Sequence, residues 1–229
     1  MKRFFKLISI GVVFGLSLLI CKSLFKMSDQ SFKVFTWYIF GAVILGALGF
    51  NLIYTHPMRK KVFKFMKMIE SGQAEECIPE MEQLLKEAKK RKSKKRVQFY
   101  QLNLSAGYIE TRRFEDAIKL LKKIDPQSLK SDMQLVYYIN LCTAYFMVND
   151  KDAVLESYSA GQKLFETYRK NRHYASNIAV VNILAYVCQG SLDKAKDELA
   201  EAKETYANLR FKRTFEEIER IINEDEEGA

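Results

Sequence analysis

Proline is nearly absent from this 229-residue chain, with three residues, and glycine is sparse, with ten. So few turn-formers leave little room for a turn-rich β sandwich and none for a collagen-like repeat. Cysteine occurs four times, as Cys21, Cys77, Cys142 and Cys188, and histidine twice, as His56 and His173. The cysteines show neither close pairing nor zinc-ligand spacing, so no disulfide framework or structural zinc is expected. Reduced thiols fit them better, Cys142 and Cys188 standing where helices want a small apolar residue. His56 beside Pro57 and His173 after Asn171-Arg172 read as surface residues. A phosphate-binding glycine loop, a zinc-protease motif and a serine nucleophile turn are also missing. These gaps give the expectation of a protein that is not an enzyme, with no cofactor, no metal and no small-molecule substrate.

What is plentiful is apolar residue and positive charge. Hydrophobic residues make up 48% of the chain, too many for a disordered one, and the formal net charge is +9. Residues 1–61 hold nine basic side chains against Asp29 alone, while the remainder is almost balanced. The excess therefore flanks the two most hydrophobic segments rather than forming a nucleic-acid surface, and nucleic acid is not an expected partner. The first segment, about 4–25, is apolar between Lys6 and Lys22, and lysines at both ends can snorkel. The second, 34–54, has no charge, begins with Trp37 and Tyr38 and ends with Tyr54, the aromatics that mark membrane interfaces. Together they predict a transmembrane hairpin over residues 1–57. A cleaved signal peptide is the competing reading of the first segment, but Leu18-Leu19-Ile20-Cys21 lacks the small residue such cleavage needs. Lys2, Arg3 and Lys6 at the start and Arg59, Lys60, Lys61, Lys64 and Lys67 after the second span outnumber Lys22, Lys26 and Lys33 between them. The positive-inside rule then puts both termini and the rest of the chain in the cytoplasm, as a multi-pass membrane protein. Gly11 and Gly15, and Ala42 and Gly46, are spaced for close helix contact, within the hairpin or between two copies.

From residue 58 on, apolar residues recur at three and four, which predicts helices throughout and an all-α fold. Aligning Tyr108, Tyr145 and Tyr186 shows an internal repeat. Around the first stand Leu104, Phe114, Ala117 and Leu121; around the third, Gly190, Leu192, Ala195, Leu199 and Ala202. The second is looser, with Leu141, Ala153 and Tyr158, its alanine one place early. This pattern resembles the tetratricopeptide repeat (TPR) family: a large residue, an aromatic four on, a turn, then an alanine that lets the second helix lie close to the first. The resemblance covers residues 97–208. Residues 58–96 read as a divergent helical hairpin turning at Ser71-Gly72-Gln73, and residues 209–229 as a capping helix, with Phe211, Phe215, Ile218 and Ile222 on one face, followed by an acidic tail.

The resemblance implies an α-solenoid whose first helices line a groove. Carried onto this sequence, the groove side includes Leu102, Ala106 and Ile109, then Ile139, Thr143 and Phe146, then Val180, Leu184 and Val187. No Lys or Arg occurs in 97–111, 132–150 or 173–190. Capture of a peptide's terminal carboxylate by basic groove residues is therefore not expected, and an amphipathic helix or apolar segment suits the groove instead. The same residues would see no partner if the chain's terminal helix filled the groove itself. One charged feature stands apart: between Lys86 and Arg96, eight basic residues face Glu87 alone. Lys89, Lys90, Arg91, Lys92, Lys94, Lys95 and Arg96 form either a solvated helix end or a contact for anionic lipid headgroups. The reading that follows is a membrane-anchored cytoplasmic adaptor that binds a protein partner without covalent chemistry. The alternative is an anionic-lipid or membrane-assembly element acting through the basic run and the spans.

Overall fold

A computed structural model describes residues 16–50, 56–206 and 209–227, and every regular element among them is helical. The chain divides into two compact units, Met1–Lys61 and Val62–Ala229.

In the first unit, residues 16–24 form helix α1 and Asp29–Phe50 form helix α2. Ser28 starts α2: its hydroxyl accepts from the Ser31 N–H at 3.2 Å and its carbonyl from the Phe32 N–H at 2.9 Å. Asp29 lies in the first turn, where the helix dipole favours an anion, and pairs with Lys22. The loop expected between two spans is shortened accordingly, since this cap draws Asp29 through Lys33 into α2. Among the described residues, one helix is long and apolar enough to cross a membrane, Asp29–Phe50, with a mean hydropathy of 1.6. At 1.5 Å per residue its 22 residues span about 33 Å, close to the ~30 Å of a hydrocarbon core. None of its residues is buried, and Trp37, Tyr38, Leu45 and Phe50 are all exposed. The two-span hairpin is thus corrected to one apolar helix, with the length and composition of an anchor or a signal sequence. Residues 4–15 of the expected first span, with Gly11 and Gly15, and residues 51–54 of the second lie outside the described residues.

The second unit, which the first helix of the series enters at Val62, carries the helix pairs. Helices α3 (His56–Glu70) and α4 (Ala74–Lys90) meet at a turn where Gly72 takes φ +78°, a conformation that glycine adopts without strain. Then follow α5 (Lys94–Glu110) with α6 (Phe114–Leu121), α7 (Ser131–Met147) with α8 (Lys151–Tyr168), and α9 (Ala175–Cys188) with α10 (Leu192–Thr205). Helix α11 (Leu209–Glu227) ends the series. Each helix from α4 to α10 packs on its successor, and α5, α7 and α9 also lie side by side.

The core is a succession of clusters at the joints between pairs, as a solenoid requires. Leu102 of α5 meets Leu121 and Ile124 beyond it, and Tyr137 and Leu141 of α7. Leu135, Ile139 and Cys142 of α7 meet Phe165 of α8 and Ile178 and Val181 of α9. The third cluster joins α9 and α10 to α11. Within pairs, Ser105, Cys142 and Ile183 on the first helices have no exposed surface and stand three residues before each repeat tyrosine. On the second helices, Ala117, Val154 and Ala195 stand nine residues after it, also fully buried. The alanine that seemed misplaced in the second repeat is therefore not the repeat position. Val154 fills it, and Ala153 is only half-buried.

Candidate protein-binding groove

Buried and half-buried polar contacts fix how one pair sits on the next. Asn140 of α7 donates from its amide nitrogen to the Ser105 hydroxyl of α5 at 3.0 Å. The Tyr158 hydroxyl of α8 donates to Asn182 Oδ1 of α9 at 3.0 Å, and Asn182 Nδ2 donates to Glu198 of α10 at 3.3 Å. At the other end, the Tyr108 hydroxyl donates to Glu82 of α4 at 2.6 Å, and the Arg113 guanidinium lies over the Tyr108 ring at 4.2 Å. Burial first, and then the bond to Glu82, push the Tyr108 phenol up to about 12. Such bonds cannot slide, so they hold the repeat in register while the apolar clusters supply most of the stability.

Against this frame, the nine groove positions fall into three sets. Leu102, Ile139 and Val180, the most N-terminal of each trio, are buried in the joints between neighbouring helices. Ala106 and Ile109 of α5, and Thr143 and Phe146 of α7, are half-buried. Leu184 and Val187 of α9 are each 2% exposed because α11 lies on them. In that third cluster, Val180, Leu184 and Val187 pack with Phe211, Phe215, Ile218 and Ile222 of α11, and Phe146 reaches its edge. Helix α11 does more than cover the last pair. Glu217 from its middle pairs with Arg112, in the turn between α5 and α6, at 2.7 Å, and Glu219 pairs with Lys203 of α10 at 2.6 Å. What remains beside α11 is a cleft of about 210 Å³ lined by Phe146, Met147, Val187, Cys188 and Ile221, with Asn149 and Lys151 at its rim.

The SusR N-terminal TPR domain family matches residues 73–217, more than half of the chain. The chain belongs to that family. No curated protein and no solved structure gives a match. The TPR match begins with α4 and ends inside α11, so it reaches past both ends of the stretch in which the repeat was legible. A TPR domain implies binding of a protein partner, and such domains are typically non-catalytic.

The residues considered for other chemistry lie apart from one another. Among the described residues, no three His, Cys, Asp or Glu side chains come together as a metal site would need. His173 is exposed in the α8–α9 joint, its backbone N–H held by Asn171 Oδ1 at 3.0 Å. Cys142 is buried, and burial pushes its thiol up to about 12, so it stays protonated. The basic run forms the turn between α4 and α5, where Lys92 takes φ +51°. Lys89, Lys90, Arg91, Lys92, Lys94 and Lys95 are exposed and Arg96 is half-buried. Among the described residues, none of these seven pairs with an acid within 4.0 Å.

The residues beside the groove that sequence reasoning missed are Arg112 and Glu217. They stand 105 positions apart, and no local pattern ties them together.

Proposed function

We propose that this protein is a membrane-anchored adaptor that binds a partner protein through the face made by the first helices of its TPR repeats. The observation that carries the reading is the TPR match over 73–217 together with a half-open apolar strip, Ala106 and Ile109 on α5 and Thr143 and Phe146 on α7. The strip carries no basic residue, so its partner is an apolar or amphipathic segment rather than a terminal carboxylate. Helix α2 is the single anchor, and a single span sends the two termini to opposite sides. Within about 20 residues of the span, Arg59, Lys60, Lys61, Lys64 and Lys67 follow it against Lys22, Lys26 and Lys33 on the other side, a balance that supports cytoplasmic repeats. Anchoring confines the search for partners to the bilayer surface and raises their effective concentration. The test is in-cell crosslinking of the full chain beside Ile109→Lys and Thr143→Lys, substitutions at half-buried positions. A stoichiometric partner lost from both variants, with unchanged thermal melting, is the expected result. Equal recovery from the parent and both variants would exclude this face.

The unpaired basic turn supports a second reading, contact with anionic lipid headgroups through Lys89, Lys90, Arg91, Lys92, Lys94, Lys95 and Arg96. Each would contribute about 1 kcal/mol near a charged surface, and salt would weaken the contact. Full-length protein in nanodiscs would show it as protection of these lysines from acylation in anionic bilayers and not in neutral ones. Equal labelling in both would remove it.

A further inference from the structure

Helix α11 has the form of a ligand. Phe211, Phe215, Ile218 and Ile222, at intervals of four, three and four, make one buried stripe, while Lys212, Arg213, Glu216, Glu219 and Arg220 on its other sides are exposed. That is the pattern by which an amphipathic helix seats in an apolar groove. Its receptor is formed by Val180, Leu184 and Val187 of α9, a helix whose residues from 178 to 187 are nearly all buried. Acids beside the stripe meet cations on the repeats, Glu217 with Arg112 and Glu219 with Lys203. The two pairs fix which way round the helix lies. They are also partly exposed, with Arg112 at 70% and Glu219 at 50%, so salt weakens them.

We infer that the α9 face is a binding site for an amphipathic helix that α11 occupies in the free protein. The partner segment it accepts carries α11's chemistry: large apolar residues at four, three and four, with acids placed to reach Arg112 and Lys203. The inference rests on the adaptor reading and deepens it by naming the kind of segment bound and the step that admits it. Binding requires α11 to leave, so the apparent affinity falls by the fraction of molecules in which it has left. The strip on α5 and α7 is open first, and α11 guards the remainder. Its attachment suits such a step: one apolar stripe and two partly exposed ion pairs hold α11, so it can open while the repeats beneath stay folded.

The experiment uses the full chain in detergent and a labelled synthetic peptide of residues 209–227. Hydrogen exchange on the unaltered protein should show α11 amides opening at least tenfold more often than those of α9. The peptide should bind Phe215→Asp/Ile222→Asp, in which α11 is expelled, at least tenfold tighter than the parent. Leu184→Asp added to that variant should abolish the binding, and a scrambled peptide should not bind. Exchange of α11 only together with α9 and α10 would overturn the inference by making α11 an integral part of the fold, and this holds even if the double variant fails to fold. A folded double variant that binds the peptide no better than the parent would overturn it too. So would a dimer in which α11 crosslinks to the α9 of a second copy, since the occupant would then be another molecule of this chain. The two proposals fail separately. A cellular partner lost with Ile109→Lys but no peptide binding keeps the adaptor and removes the gate. Peptide binding with no partner keeps the gate and removes the adaptor.

Discussion

Gly161 shows how closely the repeats are fitted at the scale of single atoms. A Cβ built there would lie 2.7 Å from Cζ of Phe165 and 2.9 Å from Cβ of Tyr138. Phe165 is buried on the same helix, stacked on Tyr158 at 5.4 Å, and the Tyr138 atom is fixed to the α7 backbone. Helix propensity alone would make Gly161→Ala stabilising by about 1 kcal/mol, but overpacking a core costs about 1–3 kcal/mol. Net destabilisation is expected, read as a lower urea midpoint. Gly107→Ala should cost less, because the atom it meets, at 2.9 Å, is the far end of the Phe65 ring. A Gly161→Ala protein more stable than the parent would mean that α7 and α8 can separate freely. Tyr108 offers a second test at this scale. Its phenol is raised to about 12 by burial and by Glu82, whereas an unfolded tyrosine titrates near 10. The unfolded chain therefore gives up this proton first, and the stabilisation, complete below pH 10, is lost as pH rises through 12. The urea midpoint of the parent should fall more steeply between pH 10 and 12 than that of Tyr108→Phe. Lysine titration is common to both, so equal slopes would show that the phenol is not held by its surroundings.

Among the elements, what was legible was whatever repeats. The tyrosines at 108, 145 and 186 and the alanines at 117 and 195 stand out in the sequence because each repeat solves the same packing problem. Val154 does not stand out, since a valine inside a helix signals nothing by itself and an alanine, Ala153, stands beside it. The nine-residue interval from each tyrosine to the buried site was the better guide, because distance along two helices is conserved geometrically even when the residue filling the site changes. The apolar stripe of α11 was equally plain, yet which surface receives it was not. Val180, Leu184 and Val187 look alike whether they face a partner or the chain's own helix, because apolar burial carries no record of what buries it. The Arg112–Glu217 pair, which shows how far α11 reaches, joins residues too distant in sequence for any periodicity to connect. At α2 the helix begins before the uncharged stretch does, for a different reason. Hydropathy marks where charge ends at Lys33, while the helix starts where Ser28 caps it, and Asp29 is tolerated in the first turn as an anion at the positive end of the dipole.

For the whole molecule, the number of spans decides where the TPR repeats work, and the alternatives predict different fates for the two ends of the chain. With α2 as the single anchor, the five basic residues after it hold the repeats inside, and the N-terminus lies outside. A hairpin would keep both ends inside. A cleaved signal would remove the N-terminus and release the repeats outside, where Cys77 and Cys142 would meet an oxidising compartment. Epitope tags at each end, with external protease on sealed right-side-out vesicles, separate the three. The expected result is loss of the N-terminal tag and protection of the C-terminal one. Protection of both would restore the hairpin and with it the cytoplasmic N-terminus. An N-terminal tag already missing from the mature chain, with digestion of the repeats from outside, would make residues 1–50 a signal. The adaptor would then lose the gain in effective concentration that a fixed bilayer position provides, and the affinity of the groove alone would have to sustain its binding.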